Sequence, residues 1–414
     1  MKAVTFKSTV VRYLACKMLG LLWPGTYWSH ISGLRLAEVP APELPTAHWV
    51  RLRTILGGIC GTDLAAIFLR AHPASFLQSL AAMPYGLGHE CVAVIDEVGR
   101  AVTDYKPGDR VVIEPSLSCA AREIDPSCAP CAAGNFTLCE NLHRGTLPPA
   151  YMTGYNNFTG GSWGERFVAH SWQLHRVPDS LPDEQAVLTD PLACSLHGVL
   201  RHRPADNHHA LVQGGGIIAL GTIAALRALR CRAEVTALVY TAFQEELARK
   251  LGADHVIRHA ARMPSRRRYD DIAGYVGGRR VPGLFGNQGL FGGFDTVYSC
   301  AGGGAALTDA AKFTRARGTL VILGTGSICV FDSTPLWFAE LNVIGCNGRQ
   351  IEEYDGRRLH TYRVLFELIE RGAFDPAAFP TRTYPLSEYR AALRDLVHPP
   401  TPPFLKALLD PNRT

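Results

Sequence analysis

Three groups of residues have the types and spacing to do chemistry. The first is Cys128-Ala-Pro-Cys131 followed by Cys139, with Cys119 upstream. Four thiolates at such spacing satisfy tetrahedral zinc, which prefers soft sulfur ligands and closes its shell at a structural site. A closed site offers a substrate no position, so this zinc would pin a lobe spanning about residues 115–142. The second group is Gly58-Ile59-Cys60-Gly61-Thr62-Asp63, with Gly88-His89-Glu90 further along. Cys60 and His89 would give another zinc a thiolate and an imidazole, and a third ligand from elsewhere leaves a fourth position for water or an alcohol. The third group is Gly214-Gly215-Gly216-Ile217-Ile218-Ala219, a G-x-G-x-x-A turn after the apolar run 210–213. Its first glycine permits the tight turn, its second lets the backbone approach a pyrophosphate, and Ala219 allows close helix packing.

The second and third groups describe one reaction. A metal with an open position is a Lewis acid and can lower the pKa of bound water from about 15.7 to about 7. An alcohol activated in this way gives up its carbinol hydrogen as hydride, and the reverse reaction reduces a carbonyl. The glycine turn and helix dipole would hold a dinucleotide's pyrophosphate and fix its nicotinamide against the reacting carbon. An acidic residue about twenty positions on normally binds the ribose 2′-hydroxyl of NAD. Here the strand ends Leu238-Val239-Tyr240-Thr241-Ala242, with no carboxylate and no arginine for the 2′-phosphate of NADP. Both cofactors stay open.

The elements that must position these groups fall into two textures. To about residue 185, short β-branched runs (50–56, 91–98, 110–114, 165–169, 174–177) are punctuated by Gly and Pro, which predicts an all-β body. From about residue 190, apolar runs alternate with helical patterns: strand 210–213, helix 217–229, strand 235–240, helix 244–251, strand 296–300, helix 305–314, strand 319–323. That alternation predicts a parallel sheet with crossover helices. An amphipathic helix is expected over 362–371, and the Arg- and Gly-rich stretch 261–293 reads as a long exposed excursion. The turn 154–158, rich in asparagine, reads as structural.

Composition narrows the function. The 414 residues, 47% hydrophobic and 19% charged, are those of a folded globular protein with room for about two or three domains. A net charge of +5 is too small an excess to neutralise a phosphate backbone, so no nucleic-acid partner is expected. Most of the twelve cysteines sit singly in apolar stretches, as buried reduced thiols do. Lys17 interrupts the N-terminal apolar run without a small-residue cleavage pattern, which argues against export. No stretch approaches the roughly 20 apolar residues of a membrane span. The expectation is a cytoplasmic protein with a small-molecule substrate and no membrane partner.

These groups, in this order, resemble the zinc-containing branch of the medium-chain dehydrogenase/reductase family, which includes alcohol, threonine and polyol dehydrogenases. The likeness also runs through MKAV, KPGDRV, GGSWGERFV, DPLACSLHG, ELARKLGADHVI, FDTVYSCAGG, RGTLVILG and YPLSEYRAAL. It implies that Cys60, His89, Glu90 and Asp190 surround a catalytic zinc, and that Thr62 carries the substrate's proton. Asp63 would then orient His89. It further implies a structural zinc on Cys119, Cys128, Cys131 and Cys139. Cofactor contacts are implied at Cys194, Gly214, Gly215, Gly216, Ile217, Ala219, Tyr240, Thr241, Cys300 and Gly324. Three features depart from the family pattern. Ala65 stands where relatives often carry a relay histidine, Cys119 and Cys128 are separated by eight residues where many relatives have two, and the apolar segment 10–30 has no counterpart. That segment is expected to pack down, since apolar insertions usually bury themselves.

The implied fold is α/β: a GroES-like β-rich catalytic domain plus a doubly wound Rossmann nucleotide-binding domain. The expected division is 1–188 for the catalytic domain, 189–342 for the nucleotide domain, and 343–414 completing the first. Substrate would lie in the cleft between domains. The implied activity is hydride transfer between NAD or NADP and an alcohol or polyol, or the matching carbonyl. A redox-neutral enzyme that oxidises transiently to allow elimination or epimerisation, and a non-catalytic binding module, are the alternatives. A homodimer or homotetramer is implied, with the run 328–331 as a pairing strand near the sheet edge.

Overall fold

The computed structural model describes residues 1–260, 263–324, 326, 328–413. The chain divides into one unit formed by Met1–Asp190 with Phe379–Thr414 and another formed by Pro191–Ala378. The first carries a seven-stranded sheet in the order Thr381–Pro385, Lys406–Asp410, Trp49–Gly58, Cys91–Val98, Arg110–Ile113, Leu174–Arg176, with Arg166–His170 pairing beside Trp49–Gly58. All neighbours are antiparallel except the C-terminal pair. Val50, Leu52, Ala93, Ile95, Val111 and Phe167 alternate inward to build one core. Register shifts between Arg51 and Leu52 and between Thr54 and Leu56 bend the long central strand. Its far end, Gly57–Gly58, pairs with the C-terminal strand at Leu409 and Leu408. Residues more than three hundred positions apart thus meet at the point where the Cys60 segment begins.

The second unit has a six-stranded parallel sheet in the order His255–Arg258, Glu234–Val239, His209–Gln213, Phe294–Ser299, Thr314–Ile322, Asn342–Gly345. Chain order reverses between His209–Gln213 and Phe294–Ser299, the switch point at which doubly wound sheets bind ligands outside the strands' C-terminal ends. The strands read as continuous apolar runs because both faces are covered; Leu211, Leu238, Val297 and Leu320 are all buried.

Four expectations are corrected. Residues 343–378 belong to the second unit, because helix Thr361–Glu370 buries Tyr362, Val364, Leu365, Phe366 and Leu368 there. Glu352 of the same stretch bonds both His197 Nδ1, at 2.7 Å, and Thr361 Oγ1, at 2.8 Å. The Arg- and Gly-rich stretch is structured: helix Ser265–Tyr275 buries Tyr269, Ile272 and Ala273, and Arg279–Pro282 pairs with Gln288–Phe291. Its first two residues, 261 and 262, lie outside the described residues. The run 328–331 is not a strand, and Val330 is 96% exposed; the edge strand is Asn342–Gly345. The insertion forms helix Val10–Leu19 and two short 3-10 turns, yet most of its apolar residues stay exposed. Among the described residues no helix is long and apolar enough to cross a membrane.

His170, at the end of strand Arg166–His170, gives a pH prediction. Its Nδ1 accepts the Trp172 N–H at 3.0 Å, and its ring packs on His48 and Trp49. Burial pushes the imidazole down to about 4 from its usual 6.5, against the pull of Glu123. The unfolded chain therefore binds a proton that the native chain refuses between these values. Stability should fall by roughly 2–3 kcal/mol as pH drops from 6.5 toward 4. Urea unfolding of wild type and His170→Asn, which keeps a cap acceptor, checks this. Equal slopes of stability against pH would show that His170 plays no such part.

Candidate active site

The first site begins where strand Trp49–Gly58 ends. Cys60 caps helix Gly61–Ile67, and its N–H donates to Asp63 Oδ2 at 2.8 Å, which fixes the thiol's direction. Asp63 is fully buried; its other oxygen accepts the Tyr155 hydroxyl at 2.8 Å and lies 3.8 Å from His89 Nδ1. The aspartate expected to orient His89 is thus hydrogen-bonded to Tyr155 and Cys60, with the imidazole beyond hydrogen-bond range. Thr62 is half-buried, with Oγ1 3.6 Å from Cys60 Sγ.

His89 and Glu90 arrive from the start of strand Cys91–Val98. Gly88, at φ +83°, turns the chain there, and a Cβ on it would meet Trp163 at 2.3 Å. The ligand atoms of Cys60, His89 and Glu90 converge within 4.8 Å of one another, and all three groups are buried or half-buried. His89 Nδ1 and Glu90 Oε1 are buried without hydrogen-bond partners. Burial and Glu90 push the Cys60 thiol up, and Lys406 only partly offsets them. A thiol, an imidazole and a carboxylate, buried with unsatisfied acceptor atoms, suit a zinc ion, whose charge would release the thiol proton.

Lys406 is the residue that sequence reasoning missed. From the C-terminal strand Lys406–Asp410 its ammonium forms an ion pair with Glu90 Oε2, both side chains being almost completely buried. Glu90 holds its ammonium in the charged form against the cost of burial. Gly58 makes the approach possible: a Cβ there would lie 2.2 Å from Glu90 Oε2. A lone lysine in the apolar run KALLD was the available signal, since lysine is seldom buried unpaired.

Asp190, expected to complete the ligand set, is buried in the first turn of helix Thr189–Arg201 but is not part of the convergent group. Its charge acts on the buried thiol of Cys91. A second carboxylate beside Glu90 would add like charge to a pocket with one ammonium. Within the turn 154–158, Asn156 Oδ1 accepts the N–H groups of Phe158 and Thr159, as a structural turn requires.

The cysteine lobe forms as expected. The sulfurs of Cys119, Cys128, Cys131 and Cys139 gather within 4.8 Å. Cys119 Sγ accepts Cys128 N–H at 3.4 Å and Asn141 Nδ2–H at 3.3 Å, and Cys139 Sγ accepts Asn141 N–H at 3.3 Å. Hydrogen bonding from Cys131 draws Cys139 down to about 5. Beneath them Arg122, fully buried, donates to the carbonyls of Leu117, Arg144, Leu147, Pro148 and Ala150 at 2.8–3.0 Å. Nothing in the sequence marked Arg122 as buried.

In the second unit, Gly214 sits at φ +128° and Gly216 caps helix Ile217–Ala228, whose Ala219 is buried. Cys300 lies beside Gly214, and Gly324 donates to Ser299 O at 2.8 Å in a place where a Cβ would meet Ala301 O at 2.5 Å. Gly324 borders a cavity of about 410 Å³ lined also by Ser299, Ala301, Gly303, Leu307 and Phe331. Tyr240 is 38% exposed, and its N–H and that of Thr241 donate to Gln244 Oε1. Cys194 lies on helix Thr189–Arg201, accepting from Arg349 Nη1 at 3.4 Å.

Comparison with known proteins places this geometry. Residues 46–179 match the alcohol dehydrogenase GroES-like domain, and residues 218–360 match the zinc-binding dehydrogenase domain. The chain is 27% identical over 360 residues to L-idonate 5-dehydrogenase of Vitis vinifera, covering 86% of this chain and 87% of that one. It is 28% identical over 355 residues to sorbitol dehydrogenase of Homo sapiens, with the same coverage. Its fold matches the alcohol dehydrogenase of Aeropyrum pernix with a TM-score of 0.72 at 21% identity, over 99% of this chain and 100% of that one. The chain belongs to the zinc-containing medium-chain dehydrogenase family.

Proposed function

We propose that this enzyme transfers hydride between a polyol or other alcohol, or the matching carbonyl, and a nicotinamide cofactor, with Cys60, His89 and Glu90 holding a catalytic zinc. The convergence of those three ligand atoms carries the reading. The named activities of the relatives on L-idonate and sorbitol support a polyhydroxylated substrate.

Zinc bound there supplies Lewis-acid activation of a substrate oxygen. Thr62 Oγ1, beside the Cys60 sulfur, takes the substrate's hydroxyl proton and passes it to water, because Ala65 leaves no imidazole to relay it. Lys406 holds Glu90 by its ammonium and so moderates how much negative charge the metal receives. Asp63 and Tyr155 fix the helix turn that aims Cys60. In the second unit, the N–H groups of Gly215 and Gly216 and the N-terminus of helix Ile217–Ala228 bind the pyrophosphate. Tyr240 stands where a carboxylate would select NAD, so NADP is admitted without charge repulsion.

The test is zinc content together with cofactor reduction by sorbitol and related polyols, measured with NAD and NADP separately. About two zinc ions per chain and reduction of at least one cofactor are expected, lost on chelation. Stoichiometric zinc and cofactor binding with substrate consumed but no net reduction would favour a redox-neutral reaction. Failure to bind either cofactor would defeat the proposal.

A further inference from the structure

Helix Val10–Leu19 turns its apolar stripe the wrong way for a helix of a globular protein. Its inward side is small: Cys16 is buried, and Tyr13 packs against the core that contains Phe68 and Leu69. Tyr27 and Trp28, just downstream, hold the segment by edge contacts to the Phe68 ring at 5.8 Å each. The insertion is therefore anchored. Its outward side carries Val11, Leu14 and Met18 at helical spacing, continued by Leu21, Leu22 and Trp23, with exposures from 55 to 88%. In an ordinary surface helix these positions would be polar.

Charge says what the stripe meets. Residues 1–37 contain no Asp or Glu, while Lys2, Lys7, Arg12, Lys17 and Arg35 make the segment wholly basic. Lys7 and Lys17 are exposed beside the stripe. A second copy of this chain would bring the same basic residues against one another. An anionic bilayer surface satisfies both features: the apolar residues enter the acyl boundary, the lysines face acidic headgroups, and Trp23 sits at the depth favoured by indole rings. Lying on a membrane in this way demands no spanning helix.

We infer that the segment 10–23 docks the enzyme on anionic lipid surfaces. The inference is independent of the catalytic reading.

The test is co-sedimentation of the full chain with vesicles of phosphatidylcholine alone or with about a third phosphatidylglycerol. Binding is expected to the anionic vesicles, to weaken at least about tenfold in high salt, and to be lost in Leu14→Glu/Leu22→Glu with turnover in solution unchanged. Quenching by brominated lipid should fall in Trp23→Phe, which reports burial of that indole. Absence of binding to anionic vesicles, equal binding by the double variant, or a change in its oligomeric state on sizing would each overturn the inference, the last in favour of self-association.

Discussion

Cys60→Ser is expected to remove about one zinc ion per chain and to lower turnover by about a thousandfold or more, equivalent to roughly 4 kcal/mol of lost transition-state stabilisation. The serine hydroxyl is a harder donor and does not ionise near neutral pH, so it cannot replace a thiolate. What remains is His89 and a Glu90 already held by Lys406, too few donors to keep the metal. The four-sulfur lobe lies on separate residues and should keep its own zinc. Two further variants sharpen the result. Asp190→Asn should retain both zinc ions, because Asp190 stands outside the convergent group, whereas a directly bound aspartate would lose one. Cys91→Ser, which changes a buried thiol next to Glu90 but outside the ligand set, should also keep them. Metal analysis of the three variants beside turnover decides the matter; a Cys60→Ser protein with full zinc and activity within about tenfold of wild type would dismiss Cys60 as a ligand.

The contrast between Cys60 and Lys406 shows what the linear chain disclosed. Cys60, His89, Glu90, the four lobe cysteines and the glycine turn were legible because each belongs to a short local pattern whose spacing is itself the chemistry. The alternation of strand and helix after residue 190 was legible for the same reason: the periods are local. Lys406 was not, because its role depends on the register that pairs Leu408 with Gly58, a contact settled by sheet topology. Arg122 was hidden likewise, since its five acceptors are carbonyls, which every residue carries and no sequence pattern marks. The unit boundary was misplaced at 342 because helix Thr361–Glu370 has an apolar face that would suit either body. Its burial in the second unit is decided by tertiary packing. The insertion misled in the opposite sense, for apolar composition predicts burial only where a core is there to receive it.

Arg122→Met should loosen the cysteine lobe more than any other single substitution of comparable volume. The guanidinium is fully buried and stitches together carbonyls from residues 117, 144, 147, 148 and 150. Methionine fills much of the space and forms none of these bonds. Three buried carbonyls and two part-buried ones would then lose their donor, at about 1 kcal/mol each where water cannot reach them, so a loss of roughly 3–5 kcal/mol follows. The positive charge also favours the thiolates of Cys119 and Cys139, so the variant should release the lobe's zinc at a lower chelator concentration. Hydrogen exchange across residues 117–150 isolates the effect from the rest of the chain: protection there should fall by about a hundredfold or more, with exchange in the second unit's sheet unchanged. Arg122→Lys, which keeps the charge and reaches fewer carbonyls, should recover zinc retention better than protection. Protection within about threefold of wild type in Arg122→Met would mean that the four sulfurs and their metal hold the lobe by themselves.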